Sequence, residues 1–147
     1  AQRVTVELSA PVAAGPASLE LRFTGSINDR MTGFYRSTYD DDGEEQRIAT
    51  THFEATDARM GFPCWDEPDL KAVFGITLVV PDGLTAISNG PEVSREPAED
   101  GLVRIRFADT MVMSTYLVAY VIGRLALTEP VMARETPVRI AAREEQG

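Results

Sequence analysis

The stretch Phe34-Tyr35-Arg36-Ser37-Thr38-Tyr39-Asp40-Asp41-Asp42-Gly43-Glu44-Glu45-Gln46, continuing to Phe53, decides the fold. Two runs with aromatic and β-branched residues flank Asp42-Gly43, and that dipeptide in such a setting is a strong short-range hairpin signal. The acidic hexad Asp40 to Glu45 is therefore expected at the tip of a hairpin. An EF-hand-type calcium loop is the competing reading. With Gly43 as its fixed glycine, the first and last ligand positions fall on Thr38 and Ala49, so both ligands are lost.

The same reading extends in both directions. Upstream, Asn28 to Gly33 is a polar connector. Before it, Val4, Val6 and Leu8 alternate with Thr5 and Glu7, and Leu19, Leu21 and Phe23 alternate with Glu20, Arg22 and Thr24. With Pro11 to Pro16 as a turn between them, these runs predict a second antiparallel hairpin. Downstream, strands are expected at Ala72 to Val80, stopped by Pro81-Asp82-Gly83, and at Thr85 to Ser88, ended by Asn89-Gly90. Leu102 to Phe107 alternates cleanly. Tyr116 to Ile122 is a nearly continuous apolar run closed by Gly123, which suits a strand buried on both faces. Val138 to Ile140 is a last short strand. Helix is confined to one turn at Ala55 to Met60, with Thr56 as N-cap and Pro63 barring continuation. About eight or nine strands and no long helix predict an all-β sandwich or partly open barrel.

Composition bounds the function. The chain has 147 residues, one domain's worth, with a single histidine, His52, and a single cysteine, Cys64. An internal disulfide framework and a self-contained Cys/His zinc site are both excluded. Fourteen Lys and Arg against 23 Asp and Glu give a net charge of −9. That field repels nucleic acid and an anionic membrane surface, and neither is expected as a partner. It suits solubility or a substrate bearing an amine. No apolar run approaches the roughly 20 residues that span a bilayer. The chain opens on Ala-Gln-Arg and shows no signal peptide, so a cytoplasmic setting and a truncated N-terminus are expected.

Several residue constellations bear on chemistry. His52-Phe53-Glu54 followed by Pro63-Cys64 has part of the zinc-deaminase pattern, but Glu67 stands where the second cysteine belongs, and the gap between the halves is too short. Asp66 and Glu67 are adjacent and point apart in an extended chain, which suits a structural turn before Pro68 rather than a glycosidase pair. Cys64 reads as a small hydrophobe, Asp57 and Arg59 as local caps or ion pairs, and Phe62, Trp65 and Tyr116 as core. His52 and Glu54, two apart on one strand, share a face, while Phe53 between them faces the core. From the residues alone, that pair is either a polar site at a strand end or a solvated sheet face.

The block Thr50-Thr51-His52-Phe53-Glu54-Ala55-Thr56-Asp57-Ala58-Arg59, then Phe62-Pro63-Cys64-Trp65-Asp66-Glu67-Pro68, resembles the N-terminal domain of the aminopeptidase N family of zinc metallopeptidases. Gly33 to Ser37, Lys71 to Phe74, Ser88 to Gly90 and Met113 to Ala119 fit the same family in the same order, so the resemblance runs from about Val4 to Gly147. It implies an all-β domain, a β-sandwich or saddle-like mixed sheets, with little helix. It also implies that residues 1–147 form one non-catalytic domain, with 141–147 starting the linker to a catalytic domain elsewhere in the same polypeptide. The parent's zinc ligands, in a His-Glu-x-x-His helix, do not occur here. The chain is therefore expected to hold no metal and no catalytic residue, and to be inactive alone.

In that family a Gln-x-Glu or Gln-x-Gln segment of this domain borders the catalytic cleft. The resemblance implies that Glu54 helps bind the free α-amine of a peptide substrate and that His52 lines the pocket for its N-terminal side chain. The family usually has Gln at the latter position, so His52 is a departure. Two other readings use no resemblance. One is a free-standing β-sandwich module for peptide or carbohydrate, and the other is an interaction domain with exposed sheet edges.

Overall fold

The hairpin at Asp42-Gly43 forms as its sequence demands. Strands β1 (Gly33–Asp41) and β2 (Glu44–His52) pair antiparallel in unbroken register from Gly33 opposite His52 to Asp41 opposite Glu44. The connection has two residues, both left-handed, Asp42 at φ 52° and Gly43 at φ 86°. That is the type I′ geometry, whose twist matches the strands and which Asp-Gly accommodates at low steric cost. Asp40 accepts a 3.0 Å bond from the Gly43 amide, so the acidic hexad closes a turn.

The computed structural model describes residues 3–143. Nine further strands follow the first hairpin: β3 (Thr77–Pro81), β4 (Thr85–Ser88), β5 (Glu92–Pro97), β6 (Leu102–Phe107), β7 (Tyr120–Gly123), β8 (Leu125–Leu127), β9 (Val131–Ala133), β10 (Thr136–Val138) and β11 (Ala141–Arg143). A four-stranded sheet runs β1-β2-β7-β4 and a three-stranded sheet runs β3-β6-β5, with two-stranded ribbons β8–β11 and β9–β10. Every ladder is antiparallel. Helical structure among the described residues is limited to single 3₁₀ turns at Ala58–Met60, Glu99–Gly101 and Thr115–Leu117. No helix among them is long and apolar enough to cross a membrane.

Two apolar clusters hold these sheets. Val80, Val103, Ile105 and Phe107 of the three-stranded sheet pack with Ala86 of β4, and Ile122 of β7 lies against them. This cluster joins the two sheets face to face, as in a sandwich. The second cluster is Phe53, Ala58, Met113 and Val118, bordered by Phe62, Phe74, Tyr116 and Tyr120. Ile76 packs against both clusters and makes the core continuous.

Several expectations need correction. The runs at Val4–Leu8 and Leu19–Phe23 form no hairpin: residues 3–27 carry no strand, and every one is exposed. A two-stranded ribbon with nothing over its apolar face is marginal in water, and its ten-residue connection lacks a two-residue turn. The apolar run from Tyr116 begins as a 3₁₀ turn, and only Tyr120–Gly123 is strand, held between β2 and β4. Ala72 makes a single bridge to Met113, and its strand starts only at Thr77. Strand β5, exposed along its whole length, has no apolar alternation to betray it. Ala141–Arg143 forms a short strand against Leu125–Leu127, and residues 144–147, part of the expected linker, lie outside the described residues.

Candidate functional site

The site is built at the C-terminal end of β2. Phe53 is only 2% exposed, whereas His52 and Glu54 on either side of it are exposed. Alternation alone dictates this, since burying one side chain of an extended chain sends its neighbours the other way. The Phe53 ring meets Phe62 edge-on at 5.9 Å and Tyr120 at 6.2 Å. Full burial of such a ring contributes about 2–3 kcal/mol and pins the backbone that presents the two polar groups.

His52 stands opposite Gly33 in the ladder, and its Nδ1 lies 3.2 Å from the carbonyl oxygen of Met31. The loop before Gly33 is fastened by Asn28, whose amide donates to the carbonyls of Thr32 (2.9 Å) and Phe34 (3.0 Å) and accepts from the Arg30 amide (2.7 Å). Thr32 Oγ1 donates to Asp57 at 2.6 Å, tying the loop to the segment after Glu54. Gly33 has a φ of 69°, and a Cβ there would lie 2.7 Å from Met60 Cβ, so only glycine fits. Asn28, Met31 and Thr32 were missed as site residues by sequence reasoning. Only the polar character of this connector was visible, because its contacts with β2 and Asp57 span about 20 to 30 positions of chain.

Beyond Glu54 the chain turns back through a second fastening. Asp66, 6% exposed, accepts from Arg59 Nε (2.8 Å), the Arg59 amide (3.1 Å) and Thr115 Oγ1 (3.0 Å). Arg59 also donates to the Asp66 carbonyl at 3.0 Å. Burial by itself raises the Asp66 pKa, but the bonds from Arg59 and Thr115 outweigh it and hold the carboxyl below its ordinary value. Ser114 Oγ donates to the carbonyl of Pro68. The structural role expected for Asp66 and Arg59 is therefore what the geometry provides.

The remaining motif residues divide. Burial, reinforced by the charge of Asp66, pushes the Cys64 thiol up to about 11, so it is protonated at neutral pH and unfit as a nucleophile. Phe62 and Tyr116 border the core as expected. Trp65 does not: it is 74% exposed, on a shallow groove of about 440 Å³ shared with Phe62, Pro63, Cys64, Leu70 and Phe74. Thr56 is not the cap: Asp57 holds the N-cap position of the 3₁₀ turn Ala58–Met60, and it makes no side-chain cap bond. A zinc ion does not fit these residues, because among the described residues no three His, Cys, Asp or Glu converge.

This all-β domain thus exposes His52 and Glu54 at a strand end, followed in the chain by a part-buried Arg59–Asp66 fastening. The model of the peptidase M1 N-terminal domain matches residues 1–117, and the chain belongs to that family. It is 46% identical over 126 residues to aminopeptidase M1 of Arabidopsis thaliana. It is 48% identical over 130 residues to mitochondrial aminopeptidase 2 of Saccharomyces cerevisiae, and 44% over 124 residues to the puromycin-sensitive aminopeptidase of Caenorhabditis elegans. These matches cover 86%, 87% and 83% of this chain but only 14%, 13% and 13% of the relatives.

Proposed function

We propose that this domain serves a zinc-dependent aminopeptidase, a hydrolase that removes N-terminal residues from peptides, and completes that enzyme's substrate cleft from the non-catalytic side. The catalytic domain of the same polypeptide would supply the metal, its ligands and the attacking water, so no bond-breaking step is assigned to this chain. Its own contribution is recognition. Glu54 accepts hydrogen bonds from the substrate's α-ammonium group, a charge-assisted interaction that selects a free N-terminus over an internal peptide bond. His52 forms part of the wall around the first side chain.

One observation carries this reading: buried Phe53 fixes the strand end and leaves His52 and Glu54 exposed on either side. The net charge of −9 adds a field that attracts a cationic N-terminus. In the full-length enzyme, Glu54→Ala should lower kcat/KM on free-amine substrates by about 10- to 1000-fold, the loss of one charge-assisted contact or more. The isolated chain should not hydrolyse an aminoacyl chromogenic substrate with or without zinc. An unchanged kcat/KM in the variant, or robust turnover by the isolated chain, overturns the reading.

A further inference from the structure

The contact between His52 and the 28–33 loop has a chemical consequence. A carbonyl oxygen can only accept, so the 3.2 Å contact between Met31 O and His52 Nδ1 requires the proton on Nδ1. A neutral imidazole has a single N–H, which leaves Nε2 as a bare acceptor. His52 is exposed, so that acceptor faces outward from the strand end rather than into the core. Free imidazole in water favours the opposite tautomer, with the proton on Nε2, so the loop must impose this one.

The loop is built to do so. Asn28 clamps it internally through three hydrogen bonds, Thr32 anchors it to Asp57, and Gly33 seats it against Met60 directly opposite His52. Met31 sits at φ 60°, a left-handed conformation uncommon for a non-glycine residue, between those two anchors. The Met31 carbonyl therefore has one place to be.

We propose that the 28–33 loop is a positioning element that fixes His52 as a hydrogen-bond acceptor, so that the enzyme favours N-terminal residues whose side chains donate a hydrogen bond, hydroxyl-bearing or cationic, over apolar isosteres. The proposal rests on the reading that His52 lines the side-chain pocket. A glutamine at this position offers donor and acceptor alike and discriminates less; the neutral Nδ1–H imidazole offers only the acceptor. An apolar isostere leaves that acceptor unpaired in a closed cleft.

Because His52 is the only histidine, one measurement on the ¹⁵N-labelled chain reads its tautomer without ambiguity. Long-range ¹H–¹⁵N correlation at about pH 8, where a histidine is normally neutral, should show Nδ1 protonated and Nε2 bare. A dominant Nε2–H form overturns the proposal. Asn28→Ala should return the imidazole toward its solution tautomer, and an unchanged tautomer overturns the loop's role. In the full-length enzyme, kcat/KM for a threonyl amide should exceed that for the isosteric valyl amide by about tenfold, one hydrogen bond's worth, and His52→Leu should bring the ratio to about one. A ratio unmoved by His52→Leu, while Glu54→Ala still lowers kcat/KM, overturns this inference and leaves the amine-binding role standing. Loss of neither effect overturns the pocket reading itself.

Discussion

Two segments of this chain have the same period-two alternation and meet opposite fates. Gly33 to His52 forms a nine-residue ladder, Gly33–Asp41 against Glu44–His52, and carries the candidate site at its end. Val4 to Phe23 forms no ladder, and its Val4, Leu8 and Leu19 are 83%, 61% and 59% exposed. Local pattern does not separate them. What separates them is a two-residue turn whose twist matches the strands, a third strand at Ala49 and Thr50, and an aromatic cluster over Phe53. Alternation makes a strand possible, but a partner on its edge and a cover on its apolar face make it stable.

Four substitutions break or sharpen that contrast. Phe53→Ala should cost the most, about 4 kcal/mol in denaturant unfolding, because it empties the centre of the cluster. A loss under 1 kcal/mol would mean that the cluster does not hold β2.

Asp66→Asn should cost about 2 kcal/mol by removing the charge-assisted bonds that the buried carboxylate accepts from the partly exposed Arg59. This effect carries a pH signature. The folded carboxyl titrates below its unfolded value of about 3.9, so its contribution is complete above that value and is lost as pH falls through the folded pKa. The variant should therefore lose stability less steeply on acidification than the parent chain, and parallel acid-unfolding curves would contradict the assignment.

Gly43→Ala should cost about 1–2 kcal/mol, because a left-handed φ of 86° penalises a Cβ. The bond from the residue 43 amide to the Asp40 carboxylate would remain to hold the turn. Phe23→Ala, in the unpaired segment, should change stability by less than about 0.5 kcal/mol. Hydrogen exchange offers the same contrast without mutation: the amides of β2 should be protected and those of residues 3–27 should exchange freely. Protection in residues 3–27 would show that the first alternation finds a partner after all.

The candidate site was legible in part. His52, Phe53 and Glu54 follow from alternation once β2 is recognised, and the exposure pattern agrees. Arg59 reads from sequence as a local ion-pair residue and Asp66 as a turn residue, but that the two bond each other, seven positions apart, only the structure shows. Thr115 as the third member was not legible, because it is 49 positions away from Asp66. Trp65 shows the opposite failure. Its size and apolar character argue for burial, yet nothing in these residues covers it.

The sequence by itself determined what depends on neighbours in the chain. The all-β class, the Asp42-Gly43 turn and the burial of Phe53 between two polar residues are all of this kind. Tertiary structure decided what depends on contacts across the chain. It chose which of two similar alternating segments became a ladder, seated Asn28 and Met31 behind His52, and set the exposed β5 against β6. The physical reason is the same throughout. Backbone geometry and alternation act over a few residues, whereas burial and hydrogen-bond satisfaction are settled only when distant segments meet.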